Sequence, residues 1–149
     1  MTTFVDLRRG EASDHPPGAL IFATDPENRV LLQLRDDRPG VNWGGYWGLF
    51  GGGMEPDDAD LSHAAQREFY EEVGLSLPLE RFSPMAQLTS TSPMRTPLFV
   101  FRLTGVIEPQ DITLREGAGF GFFTSDQVEH LALVPSLTDV MGLWRKETL

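Results

Sequence analysis

Residues 67–75, REFYEEVGL, constrain this chain more than any other stretch. Arg67, Glu68, Glu71 and Glu72 alternate there with apolar residues, and the segment stops at Gly74. Upstream lie an acidic patch with Asp57, Asp58 and Asp60 and the run Gly51-Gly52-Gly53. The pattern predicts a helix over 59–73. The aspartates supply N-cap candidates and negative charge at the positive end of the helix dipole. Gly74 stands where a helix commonly ends in the left-handed conformation. Ala65, Phe69 and Val73 fall on one helical stripe, which should face a core.

Glu68, Glu71 and Glu72 fall on a neighbouring arc, close enough to repel one another. Glutamates on a helix are ordinarily a solvated face. The glycine run shifts that reading, because glycine lets backbone approach a ligand closely. A glycine turn with free carbonyls, placed before a helix with three carboxylates, makes an all-oxygen site. Hard divalent cations such as Mg²⁺ and Mn²⁺ prefer such ligands.

These residues resemble the signature box of the Nudix hydrolase family. That box runs Gly, five residues, Glu, seven residues, then Arg-Glu-apolar-x-Glu-Glu-x-Gly-apolar. Arg67, Glu68, Phe69, Tyr70, Glu71, Glu72, Val73, Gly74 and Leu75 match the second half at every fixed position. The first half departs. Without a gap, Gly53 takes the box glycine and Ala59 the outlying glutamate position. With one extra residue, Gly52 takes the glycine and Asp58 replaces the glutamate. The second register also aligns Gly51-Gly52 and Glu55 with positions where such boxes often carry Gly-Gly and Glu.

The resemblance implies an α/β (α+β) fold in which a mixed sheet lies between helices and the box forms loop–helix–loop. It also implies a hydrolase that cleaves a pyrophosphate linkage in a nucleoside diphosphate derivative, with Mg²⁺ or Mn²⁺. The alternative is a non-catalytic module of the same type that binds a nucleotide metabolite. By resemblance, Glu68, Glu71 and Glu72 bind metal, aided by a carbonyl oxygen of Gly51 or Gly52. Arg67 orients a neighbouring carboxylate. The general base is Glu68 or Glu116, the latter just before the run GFGFF.

Recognition of the substrate falls to residues outside the box. Arg35, at the end of an expected strand, is a phosphate candidate, with Arg38 and Arg95 behind it. Trp43 and Tyr46 lie in a Gly-rich loop, where an aromatic ring can stack on a base. Trp47 reads instead as a core residue. His15, His63 and His130 form no zinc pattern. Walker, GxSxG, GxGxxG and EF-hand patterns do not occur.

The remaining chain reads as scaffold. Strands are expected at about 3–7, 18–24, 30–35, 47–50, 85–91, 98–104 and 119–124. The turn signal DPEN, residues 25–28, should join the second and third as a β-hairpin. Ser125 can cap a short helix to about Leu131, and Pro135-Ser136 opens a last helix to about Lys146. That helix should bury Leu137, Val140, Met141 and Trp144.

At 149 residues one domain, 1–149, is expected. A net charge of −10 argues against non-specific nucleic-acid binding, which needs clustered Lys and Arg. It leaves room for a small phosphorylated ligand, because a bound cation reverses the local field. Absence of cysteine excludes disulfides and thiolate chemistry. No apolar run is long enough to span a membrane, and MTTFVDLRRGE lacks the apolar core of a secretory signal. A cytoplasmic location is therefore expected. A homodimer is compatible with this reading, and oligomeric state is open.

Overall fold

The computed structural model describes residues 3–148. The strands are β1 (Val5–Asp6), β2 (Gly18–Phe22), β3 (Val30–Leu34), β4 (Trp47–Gly48), β5 (Phe50–Gly53), β6 (Phe82–Thr89), β7 (Pro97–Leu103) and β8 (Gly119–Phe123). The helices are α1 (Leu61–Val73), α2 (Ser125–Val128) and α3 (Thr138–Thr148). One sheet has the order β1-β6-β7-β2-β5 and a smaller one the order β4-β3-β8. The larger is mixed, with β1 parallel to β6, β7 parallel to β2, and antiparallel pairs β6–β7 and β2–β5.

Alternation along the strands builds two cores. Ala19, Ile21, Leu31 and Phe101 point to the side where α1 brings Ala65, Phe69 and Val73, all three fully buried. Phe22, Val30, Leu32 and Val100 point to the other side, against Val140, Met141 and Trp144 of α3. Leu137 joins them from a turn of 3-10 helix at Pro135–Leu137. Both helix faces match the expected stripes. The strand β7, apolar on both faces, lies inside the sheet between β6 and β2, as its composition demands.

Three expectations are corrected. The second and third strands do not form a β-hairpin. The turn exists: the Asp25 carboxylate accepts the N–H groups of Glu27 and Arg29, and Asn28 takes a positive φ of 58°. Beyond a single bridge between Thr24 and Val30 the strands part. Both edges of β2 are taken by β7 and β5, so β3 pairs with β4 and β8 instead. The glycine run is not a turn but most of β5, with Gly51 opposite Leu20 and Gly52 opposite Ala19. The short helix α2 is capped by Thr124 rather than Ser125, in a reciprocal capping box with Gln127. No helix among the described residues is long and apolar enough to cross a membrane.

Candidate active site

Local chemistry fixes α1 firmly. Asp60 caps it by accepting the His63 N–H at 3.0 Å, and Gly74 closes it at φ 77°. Tertiary packing sets Phe69 and Val73 into the core, which turns Glu72 inward and Glu68 toward β5. Glycine is required at one point of that contact. A Cβ on Gly52 would lie 2.6 Å from the Glu68 carboxyl carbon, so only glycine lets this carboxylate reach the strand.

Arg67 organises the exposed side. Its Nε and Nη2 donate to the two oxygens of Asp58 at 2.9 and 2.8 Å. Its Nη1 donates to Glu68 at 3.0 Å and to Glu71 at 3.2 Å, and Nη2 reaches the Gly53 carbonyl at 3.1 Å. Glu55 stands 3.4 Å away. The bidentate contact with Arg67 holds the Asp58 carboxyl down at about 2. Asp58 is thus the residue that meets the box arginine, while Ala59 is exposed. Repulsion between Glu68 and Glu71 is compensated here by a guanidinium.

Glu72 has no such partner. It is 3% exposed, and its Oε1 accepts the Gly51 N–H at 2.7 Å. Burial pushes its pKa up to about 10, helped by a hydrogen bond with the Glu116 carboxyl and by the charges of Glu116 and Glu68. Burial also raises Glu68, against the pull of Arg67. Glu116 comes from the loop before β8, which is tied to the end of α1 by the Arg115 N–H on the Glu72 carbonyl at 2.8 Å.

A buried carboxylate facing another carboxylate needs a shared proton or a cation. The donors are all oxygen, so they suit a hard divalent ion. Among the described residues no three acidic or histidine side chains are already assembled as a cage. Glu72 and Glu116 instead line one polar cavity together, while Glu68 and Glu71 share the Arg67 guanidinium. The donor chemistry fits a cation on these residues.

Two cavities flank the site. The larger, of about 460 Å³, is lined by Leu20, Gly51, Gly52, Leu98, Met94 and Trp43, among others. The smaller, of about 270 Å³, is polar and contains Gln33, Arg38, Glu72 and Glu116. Arg35 and Gly51 line both and so lie on the ridge between them. Arg35 is steadied by the Asn42 carbonyl at 2.7 Å.

Trp43 adopts a positive φ of 56° and enters the larger cavity. Tyr46 lines neither cavity. It packs edge-on against Trp43, with ring centroids 5.2 Å apart. Trp47 packs against Phe123. Arg95 is taken up by the Glu11 carbonyl at 2.7 Å.

Gln33, not among the residues expected at the site, lies in the polar cavity wall and is 5% exposed. Its signal was a lone amide in the otherwise apolar strand VLLQL. Ser90, Ser92 and Met94, also not among the expected residues, form a cavity wall in the loop 90–96.

The family profile described as NUDIX domain matches residues 14–142. The chain is 31% identical over 98 residues to diphosphoinositol polyphosphate phosphohydrolase NUDT4B of Homo sapiens, covering 66% of this chain and 51% of that protein. The chain thus spans about half the length of the curated relatives it matches. Among solved structures, RenU, a Nudix hydrolase from M. smegmatis, superposes with a TM-score of 0.60 at 26% identity, covering 89% of this chain and 85% of RenU. The MutT protein of Methanosarcina mazei Go1 superposes with a TM-score of 0.69 at 19% identity, over 91% and 99% of the two chains. The latter likeness is one of fold.

Proposed function

The chain belongs to the Nudix family, and on that premise we propose that it hydrolyses a pyrophosphate linkage in a nucleoside diphosphate derivative with Mg²⁺ or Mn²⁺. The observation that carries this reading is the meeting of Glu72 and Glu116 beside Gly51, where a polar cavity joins a largely apolar one. A cleft with two unlike halves suits a substrate with two unlike halves.

Glu68, Glu71, Glu72 and Glu116 would hold the cation, with a carbonyl oxygen of Gly51 or Gly52. When bound, such an ion offsets the charge of a pyrophosphate and makes a water more acidic. The chain's own residues do the rest. Arg35, on the ridge, binds a phosphate oxygen by a charge-assisted hydrogen bond. Trp43 offers its ring to the base. Tyr46 supports that ring edge-on. Glu68 or Glu116 accepts the proton of the attacking water. Asp58 fixes Arg67, and Arg67 fixes Glu68.

The curated relatives are named for diphosphoinositol polyphosphates. Such densely charged ligands need several cationic side chains. The cleft here offers Arg35 and Arg38, the latter 3.6 Å from Asp36, and the chain carries a net charge of −10. The larger cavity presents Leu20, Leu98, Met94 and Trp43. These features favour a nucleotide-type substrate.

The test is turnover of a panel in Mg²⁺ or Mn²⁺: nucleoside triphosphates, ADP-ribose, nucleotide sugars, dinucleoside polyphosphates and a diphosphoinositol polyphosphate. Hydrolysis of a nucleotide member is expected. Tight binding without turnover of any member would replace the enzyme reading with a binding module.

A further inference from the structure

Gln33 is the one side chain of β3 that breaks its apolar run, and it is almost completely buried. It shares a face with Leu31, two residues earlier, which packs in the core beneath α1. At Gln33 that core gives way to the acidic cavity. Its Nε2 donates to the backbone carbonyl of Glu116 at 3.1 Å. A buried amide in a strand position otherwise filled by aliphatic residues is costly unless its hydrogen bond is used.

The loop that carries Glu116 is shaped around this amide. Gly117 has φ +97°, and a Cβ there would lie 2.8 Å from both Cγ and Nε2 of Gln33. Glycine lets the loop close onto the amide. On one side of Glu116, Arg115 N–H donates to the Glu72 carbonyl at 2.8 Å; on the other, Ala118 N–H donates to the Leu34 carbonyl at 2.9 Å. Those two bonds fix the ends of the loop. The Gln33 amide fixes the carbonyl of Glu116 itself, between them.

We propose that Gln33 is a positioning residue: it holds Glu116 opposite Glu72 and thereby sets the strength of cation binding in the acidic cavity. This rests on the metal site proposed above. Gln33 acts through Glu116 and touches neither cation nor substrate in this role. Partners that orient ligands in this way typically change metal affinity or activity 10–100-fold when removed.

The test is a double-mutant cycle read by Mn²⁺ calorimetry on substrate-free protein, with turnover as a second readout. Gln33→Leu keeps the volume and suits the apolar neighbours, so thermal unfolding should show an intact fold. Gln33→Leu is expected to weaken Mn²⁺ binding about 10–100-fold, and kcat should fall while KM stays within about twofold. Glu116→Gln should weaken Mn²⁺ binding as well. Because Gln33 acts through Glu116, the double variant should bind Mn²⁺ no more weakly than Glu116→Gln alone. Mn²⁺ affinity unchanged in Gln33→Leu, or effects that multiply in the double variant, would overturn the assignment and leave the metal site standing. Failure of the unaltered protein to bind Mn²⁺ would overturn both. If Gln33→Leu unfolds, Gln33→Met takes its place in the cycle under the same criteria.

Discussion

Arg67 grips both carboxylate oxygens of Asp58, nine positions earlier, at 2.9 and 2.8 Å. The pair ties the approach segment to α1 and leaves Nη1 free to hold Glu68 and Glu71. Asp58 is 6% exposed at its side chain and Arg67 23% exposed, so the contact is screened only in part. Asp58→Ala should cost about 1–3 kcal/mol in urea unfolding, because it removes the bidentate partner of a partly buried guanidinium and the acceptor of the Glu55 N–H. Ala59→Glu, at an exposed position, should change stability by less than about 0.5 kcal/mol. Equal effects at the two positions would contradict the pairing.

Gly52→Ala separates site from scaffold. The atoms nearest the new Cβ all belong to the end of the flexible Glu68 side chain, which can swing aside. Stability should therefore change little, by about 1 kcal/mol or less. Turnover should fall by about tenfold to a thousandfold, because Glu68 is displaced. A large drop in melting temperature with activity per folded molecule preserved would show that the glycine serves packing alone.

Glu72 makes stability depend on pH in the metal-free protein. Its folded pKa is raised to about 10 by burial and by Glu116. In the unfolded chain a glutamate ionises near 4.3. The group's contribution is therefore complete below the unfolded value and is lost as pH rises toward the folded one. Between about pH 5 and pH 9 the slope attributable to one such group is at most about 1.4 kcal/mol per pH unit. Urea titrations in chelator should show stability falling across this window, and Glu72→Gln should flatten it. Added Mn²⁺ should restore most at the alkaline end.

Asp25 acts at the acid end with the opposite sign. Burial alone would raise its pKa, but the Arg29 N–H and guanidinium and the Glu27 N–H together hold it below the usual carboxylate range. Its contribution is present above the unfolded aspartate value, about 3.9, and is lost as pH falls through the folded one. Asp25→Asn should be less stable at pH 7, and its deficit should shrink as pH drops below about 4. A deficit independent of pH would assign the loss to turn geometry.

What could be read from the sequence was local. Periodicity placed Phe69 and Val73 in a core and the glutamates beside it, and cap chemistry bracketed α1. The turn at Asp25 was legible for the same reason, as a short-range hydrogen-bond pattern. Which strands it joins was not, because pairing is decided by competition among distant segments. The glycine run looked like a turn because glycine is usually read through its φ freedom. Its use at Gly52 is a missing Cβ under a carboxylate from another element, which no local window contains. Gln33 shows the same limit: its partner, Glu116, lies 83 residues away.

Metal-dependent hydrolysis at Glu72 is tested by phosphate-product release from the best nucleotide substrate by the unaltered protein and by Glu72→Gln, with and without chelator. Cation-dependent turnover is expected, abolished by chelator and lowered about a hundredfold or more in Glu72→Gln, whose circular dichroism should be unchanged. Turnover that survives chelator, or a folded Glu72→Gln protein of full activity, would contradict it.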